Sequence, residues 1–412
     1  MSQPLMKMQD LPANTRQEPM GAAAARACVI VRDYTERLAS GLSAEDQCIQ
    51  SMPDASPTKW HRAHTTWFFE QFVLEPNLPD YKPFDEAFSF LFNSYYEAVG
   101  PRHPRPMRGL LTRPDNAHVG RYRAYVDAAL ARLLDRTESQ DLIGLVTLGL
   151  HHEQQHQELL ITDALHAMAQ NPLSWQGAGM AVLPGWKAAS GESDATRFVE
   201  RDGGLTLVGH DGHGFGFDNE FPRHQQLLQP HAIASRLVRN AQWLDFIADG
   251  GYQRPDLWMA DGWAICCAEG WTSPMHWRPD GQGGWRQMTP GGCAAPIADA
   301  PVTHISWYEA DAFARWADAR LPTEAELEAA DDLPEFFGHA WQWTNSAYLP
   351  YPRFKAEGGA IGEYNGKFMI NQMVLRGSSY ATSPGHARTS YRNFFQPEKR
   401  WQVTGLRLAQ DR

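Results

Sequence analysis

The feature that most constrains this chain is a change of grammar near Asn171. Before it, the segments 26–40, 59–74, 118–134 and 141–169 each support a helix, with Gly41 as a stop for the first. Ser56-Pro57, the stretch 80–83 and a Pro- and Arg-rich loop at 101–114 punctuate them. Four helices so connected predict an up-and-down bundle. After Asn171, glycine pairs such as Gly203-Gly204, Gly250-Gly251 and Gly283-Gly284 break the chain into short strand-like pieces. Only 240–249, 307–319 and 323–330 read as helices there. The expectation is an α+β protein with a disordered tail at 1–22, a helical bundle at 23–170, a linker at 171–198 and a sheet-rich domain at 199–412.

Composition narrows the function classes. The chain has 412 residues, 43% apolar and 21% charged, as in an ordinary enzyme of two or three domains. A net charge of -11 argues against non-specific binding to nucleic acid or anionic membrane. The sequence has no apolar run long enough to span a bilayer, and the first twenty residues lack the apolar core of a secretion signal. Cys28, Cys48, Cys266, Cys267 and Cys293 show no zinc-type spacing, and the adjacent pair is poorly placed for a disulfide. They read as reduced thiols of a cytoplasmic protein.

Chemistry concentrates in His152-Glu153-Gln154-Gln155-His156. Leu148, Leu150, Leu159, Leu160 and Leu165 supply apolar positions around it, and two His four apart on a helix point the same way. Read alone, H-E-x-x-H is a metalloprotease zinc site with Glu153 as general base. Two His rarely hold a catalytic ion alone, and the segment 56–70 offers His61 and His64. His64 shares a stripe with Trp60, Ala63, Trp67 and Phe68, which suits a hydrogen-bonded core histidine as readily as a ligand. Beside a helix that already presents two imidazoles, the ligand reading gains.

The segments 56–70 and 152–160 resemble the iron-binding half of the ergothioneine-biosynthetic sulfoxide synthases, which join a DinB-like helical bundle to a formylglycine-generating-enzyme-like domain of C-type-lectin-like fold. Arg320-Leu321-Pro322-Thr323-Glu324, Trp341-Gln342-Trp343-Thr344, Leu375-Arg376-Gly377-Ser378-Ser379 and Gly405-Leu406-Arg407-Leu408-Ala409 resemble motifs of that second domain. The resemblance runs from about residue 25 to the end. It implies one non-heme Fe(II) on His64, His152 and His156, with His61 and His151 outside the pattern and Glu153 reduced to a supporting or salt-bridging group. It implies dioxygen as co-substrate and oxidative coupling of a thiol to imidazole C2 of hercynine (trimethylhistidine). Tyr95 and Tyr96 match a branch that places paired tyrosines here, and a phenol suits the acid the chemistry needs; read without that match, two adjacent Tyr are as well explained by packing. Gln155 matches a position that holds the imidazole, and Asn393 and Phe394 lie in a stretch that closes over the substrate. Hercynine's trimethylammonium calls for aromatic faces, although most of the 15 Trp read as a fold feature. Arg105 and Arg108 fit either a bidentate clamp on a co-substrate carboxylate or a solvated loop.

The chain also departs from the sulfur-handling pattern. It has Gly377-Ser378-Ser379-Tyr380-Ala381-Thr382-Ser383 where relatives read Gly-Gly-Ser-Cys-Ala-Thr-Pro, and Trp341-Gln342-Trp343-Thr344 where they read Trp-Glu-Trp-Thr. The segment 331–339 is shortened. Tyr380 is expected to reshape the co-substrate pocket, and with Ser379 it fits a hydroxyl-rich donor. Selenoneine synthases use the same scaffold with a selenosugar, so these departures lean toward selenium, with cysteine or γ-glutamylcysteine as the alternative donor. Other classes explain less. A zinc hydrolase leaves the second domain without a purpose. A di-iron bundle requires paired E-x-x-H segments, and Glu153 to His156 is the only one. A formylglycine-type enzyme requires cysteines in a C-terminal stretch that lacks them, and a binding module requires that the histidines hold no metal.

Overall fold

A computed structural model describes residues 20–176, 196–356, 358, 362 and 365–412. Most of the expected tail (1–19) and of the expected linker (177–195) lies outside the described residues. At the edges of both, the structure differs from expectation. Helix α1 begins at Met20, inside the expected tail. Trp175 is buried in a single 3-10 turn, and the first strand starts at Phe198.

The N-terminal half is built from α1 (Met20–Ala39), α2 (Thr58–Phe68), the short α3 (Glu75–Asn77) and α4 (Phe88–Phe92), α5 (Asn116–Leu134) and α6 (Gln140–Gln170). Asp115 caps α5 by accepting from His118 N, and Ser139 caps α6 by accepting from Leu142 N, so both of these helices start on a side-chain oxygen that satisfies an orphan N–H. α6 packs on α1 and α2, and α2 also packs on α5. Helix α2 does not run to Leu74 as a regular helix. Its last turn, Phe69–Leu74, is π-helical, and it buries Glu70, which accepts from Tyr81 Oη (2.5 Å) and Tyr122 Oη (2.6 Å). Gly149 lets α6 approach this turn. A Cβ there would stand 2.6 Å from Phe69 and 3.0 Å from Phe68.

The C-terminal half contains β1 (Phe198–Arg201), β2 (Gly204–Val208), β3 (His224–Leu228), β4 (His231–Ala234), α7 (Asn240–Ala248), α8 (Ala260–Ala268), β5 (Trp277–Pro279), β6 (Trp285–Thr289), β7 (Gly292–Ala294), α9 (Trp307–Trp316), α10 (Glu324–Glu328), β8 (Ala340–Ala347), β9 (Met373–Ser378), β10 (Asn393–Phe395), β11 (Thr404–Gly405) and β12 (Ala409–Asp411). The main sheet has the order β10-β9-β8-β11, with β11 parallel to β8. In a second sheet β4 lies between β1 and β12, so the last strand returns to the start of the domain. Helix α8 is absent from the sequence reading. Its segment has little amphipathic spacing and contains Gly262, where a Cβ would sit 2.6 Å from Tyr308. One apolar cluster runs from Trp67, Phe68 and Val146 of the bundle through Phe217, Trp341, Tyr391 and Leu408, so the halves share a core. Among the described residues no helix is long and apolar enough to cross a membrane, and all five cysteines are free.

Candidate active site

Helix α6 divides its polar residues between two partners. One side faces the bundle. His152 and His156 meet His64 from α2, and one ligand atom from each lies within 4.8 Å of the others. His64 Nε2 and His152 Nε2 stand 3.2 Å apart. Metal–nitrogen bonds of about 2.1 Å put neighbouring ligand atoms roughly 3–3.5 Å apart, so this pair already has ligand spacing. His64 Nδ1 donates to the Phe92 carbonyl (2.6 Å), which leaves Nε2 bare toward the cluster. Burial pushes all three imidazoles below their ordinary range, His152 to about 3, and the other rings of the cluster add to the shift at His64 and His156. Three neutral imidazoles in a buried cluster fit a first-row transition ion.

Glu153 turns away from this cluster. It is fully buried and accepts from Arg32 Nη1 (2.8 Å), Arg123 Nη2 (2.8 Å) and Thr35 Oγ1 (2.6 Å). Burial opposes its charge, but Arg123 and Arg32 outweigh burial and hold the carboxyl at about 2. All its oxygens are committed, so the protease-base reading of the motif has no geometric support.

The other side of α6 faces the sheet-rich half. Gln154 donates to the Pro384 carbonyl (3.0 Å), Gln155 donates to Tyr391 Oη (2.6 Å), and Glu158 accepts from Ser379, Thr382 and Trp341. Between the halves lies a cavity of about 650 Å³. His156 and Gln155 line it from α6, Tyr95, Arg105 and Arg108 from the bundle loops, and Trp341, Tyr391, Asn393 and Phe394 from the second half. Phe394 stacks on Tyr348 (4.0 Å between centroids), so its ring plane is held.

The paired tyrosines separate. Tyr95 lines the cavity and stacks on Tyr96 (4.7 Å), whereas Tyr96 is fully buried against Trp67 and Phe72 and is not part of the cavity wall. Arg108 is buried, lies flat over Trp60 (3.4 Å from carbon to ring centroid) and donates to Ser56 Oγ (2.9 Å). It is therefore not a solvated loop residue. Burial, with Arg105 adding, pushes its guanidinium well below its ordinary value. Arg105 is exposed and donates to the Asp54 carbonyl. Tyr380 stands apart from the residues that line the cavity and packs on the small core of Leu38, Leu160, Ala340 and Val403. Its neighbours Ser379 and Thr382 donate to Glu158, so this loop is turned toward α6.

Sequence reasoning passed over Tyr391, Asp163 and Glu158, and it weighed His61 only as a ligand outside the family pattern. Tyr391 lies in a stretch already marked as closing over the substrate. Asp163 and Glu158 are legible only as further positions on the faces of α6.

The sulfatase-modifying factor enzyme 1-like domain model matches residues 187–332 and 330–412. Hercynine oxygenase from Mycolicibacterium thermoresistibile is 30% identical, with 95% of this chain and 96% of that one covered. Its counterpart from Mycobacterium tuberculosis is 30% identical, with 96% and 100% covered. The formylglycine-generating enzyme of Streptomyces coelicolor is 32% identical but covers only 29% of this chain and 41% of its own. Fold and site together define a class in which a three-histidine cluster in a helical bundle is closed over by a sulfatase-modifying-factor-like domain. Within it, the full-length match decides the assignment: this chain belongs to the hercynine oxygenase family and is an oxidoreductase.

Proposed function

We propose that the chain joins a chalcogen donor to imidazole C2 of hercynine, with dioxygen as oxidant, Fe(II) on His64, His152 and His156, and a selenosugar as donor. The C2–H and Se–H bonds are lost, a C–Se bond forms, one oxygen atom stays on selenium, and the other leaves as water with the two hydrogens. Fe(II) in a site of neutral imidazoles supplies the dioxygen-activating redox chemistry.

The observation that carries this reading is that His156 opens onto the same cavity as the Gln155 amide and a wall of aromatic rings. Tyr95, Trp341, Tyr391 and Phe394 offer faces to a trimethylammonium that cannot donate a strong hydrogen bond. Gln155, held by Tyr391, orients the imidazole beside His156. Tyr95 is the acid of the pair because it reaches the cavity.

The donor side supports a sugar. Arg102 is paired with Glu97, Lys399 with Asp54 (2.7 Å), and Arg108 with Ser56 and Trp60, while Gln372, Gln396 and Gln402 add neutral amides that suit hydroxyls. One observation favours the sulfur alternative: neither Arg105 nor Arg108 has a carboxylate partner among the described contacts, which leaves charge for a cysteine or γ-glutamylcysteine carboxylate. The test loads the protein anaerobically with Fe(II), with His64→Ala as control, then supplies hercynine, dioxygen and either selenoglucose, cysteine or γ-glutamylcysteine. One iron per wild-type chain, none in the variant, and a hercynine–selenium adduct by mass are expected. Turnover with the thiols alone sinks the selenium reading.

A further inference from the structure

His61 carries none of the roles above, yet it is 2% exposed and touches a member of the metal cluster. Its Nδ1 lies 2.8 Å from His156 Nδ1, and its Nε2 lies 3.0 Å from Asp163 Oδ2. Asp163 is two helical turns beyond His156 on α6, so it projects from the same face. The carboxylate is held from three sides. Oδ2 also accepts from Ser56 N (2.8 Å), and Oδ1 accepts from Trp401 Nε1 (2.9 Å), a residue of the second half.

A carboxylate only accepts, so His61 carries its proton on Nε2 and presents a bare Nδ1 to His156. His156 must then donate from Nδ1, which leaves its Nε2 lone pair for the cluster. With the opposite tautomer of His61, two N–H groups would meet at 2.8 Å, or His156 would place its proton on the nitrogen needed for the ion. His64 reaches the same state more simply, through the Phe92 carbonyl.

We propose that His61 and Asp163 are positioning residues for His156, setting its tautomer and ring angle, and that Trp401 ties this setting to the docking of the second half. The inference rests on the reading of the three histidines as a metal site. Outer partners of ligating histidines are commonly worth about 10–100-fold in metal affinity.

The test measures Co(II) and Fe(II) affinity by chelator competition, together with the Co(II) visible spectrum, for the wild-type chain and for His61→Phe, His61→Gln, Asp163→Asn and Trp401→Phe. Melting curves without metal report the fold of each. Asp163→Asn removes the charge and replaces one of the two acceptor oxygens with a donor, so the three groups that now donate to the carboxylate can no longer all be satisfied; it should weaken binding about 10–100-fold with a changed spectrum. His61→Phe should do the same, and His61→Gln, whose carbonyl oxygen can accept from His156, should recover part of the loss. Trp401→Phe should give a smaller loss in the same direction. Wild-type affinity and spectrum in Asp163→Asn overturn the proposal, as does a His61→Gln variant no better than His61→Phe. A wild-type chain that binds neither ion removes the metal site itself, and this inference with it.

Discussion

The two halves contribute to one cavity by different means. The bundle supplies its groups from regular helices: His152, Glu153 and His156 on α6 face His64 on α2 and Arg32 on α1, and each is pinned by buried partners. The sheet-rich half supplies its groups from short strands and loops: Tyr391, Asn393 and Phe394 precede or form β10, and Trp341 is the second residue of β8. A site that must hold an ion needs fixed lone pairs, which helices give. A site that must admit and enclose an organic cation needs a wall whose shape is set by loops. The histidine cluster belongs to the helical side alone, whereas the cavity wall is shared by both halves.

Four changes break or sharpen that division. The largest effect belongs to Tyr95→Phe, which removes a proton donor from the bundle side. Turnover should fall about 10²–10⁴-fold, with metal content unchanged by elemental analysis; a variant at full rate with the same product removes Tyr95 from the chemistry. Glu153→Ala should act on folding, because Arg32 and Arg123 would each lose a buried carboxylate contact and be left with Asp127 and Glu36 alone. A loss of about 1.5–3 kcal/mol in denaturant unfolding is expected. A metalloprotease base would instead cost activity at unchanged stability.

Acid tests the second half. Burial lowers the His304 imidazole to about 4, while the unfolded chain titrates near the ordinary value. Between those two values the unfolded state binds more protons, so stability is fully present above about pH 6.5 and is lost as pH falls toward 4. At pH 5 the loss from this group is about 2 kcal/mol, and His304→Gln should flatten the unfolding profile between pH 7 and pH 5. The smallest effect is expected at Tyr391→Phe, which removes the acceptor for Gln155. One neutral hydrogen bond is worth about 0.5–1.5 kcal/mol, so KM for hercynine should rise about 3–10-fold with metal affinity intact. Lost metal in Tyr391→Phe would erase the boundary between the two halves.

Much of the helical side is legible in the chain. The helices expected at 59–74, 118–134 and 141–169 fall within two residues of those spans once the π-helical turn is counted, because apolar spacing is a local signal, and α1 starts six residues early. The π-helical turn is not legible, since it follows from how Phe68 and Phe69 fit against Gly149. Helix α8 is missed for a similar reason: Gly262 answers to Tyr308 rather than to helix propensity. Tyr380 shows the limit in the other direction. Its departure from the family pattern is visible in sequence, but which way its loop turns depends on Glu158, and Glu158 binds Ser379 and Thr382 on either side of it.

By itself, then, the sequence determined the helical start, the glycine-punctuated continuation, the spacing of His152 and His156, and the family motifs of both halves. These depend on residues close in the chain, where periodicity, capping and turn chemistry act. Only the tertiary structure decided that Glu153 is spent on Arg32 and Arg123, that Tyr95 and not Tyr96 reaches the cavity, and that His61 leans on Asp163 behind His156. Each of those depends on partners far apart in sequence, whose meeting is set by how α1, α2, α5 and the second half pack around one face or the other of α6.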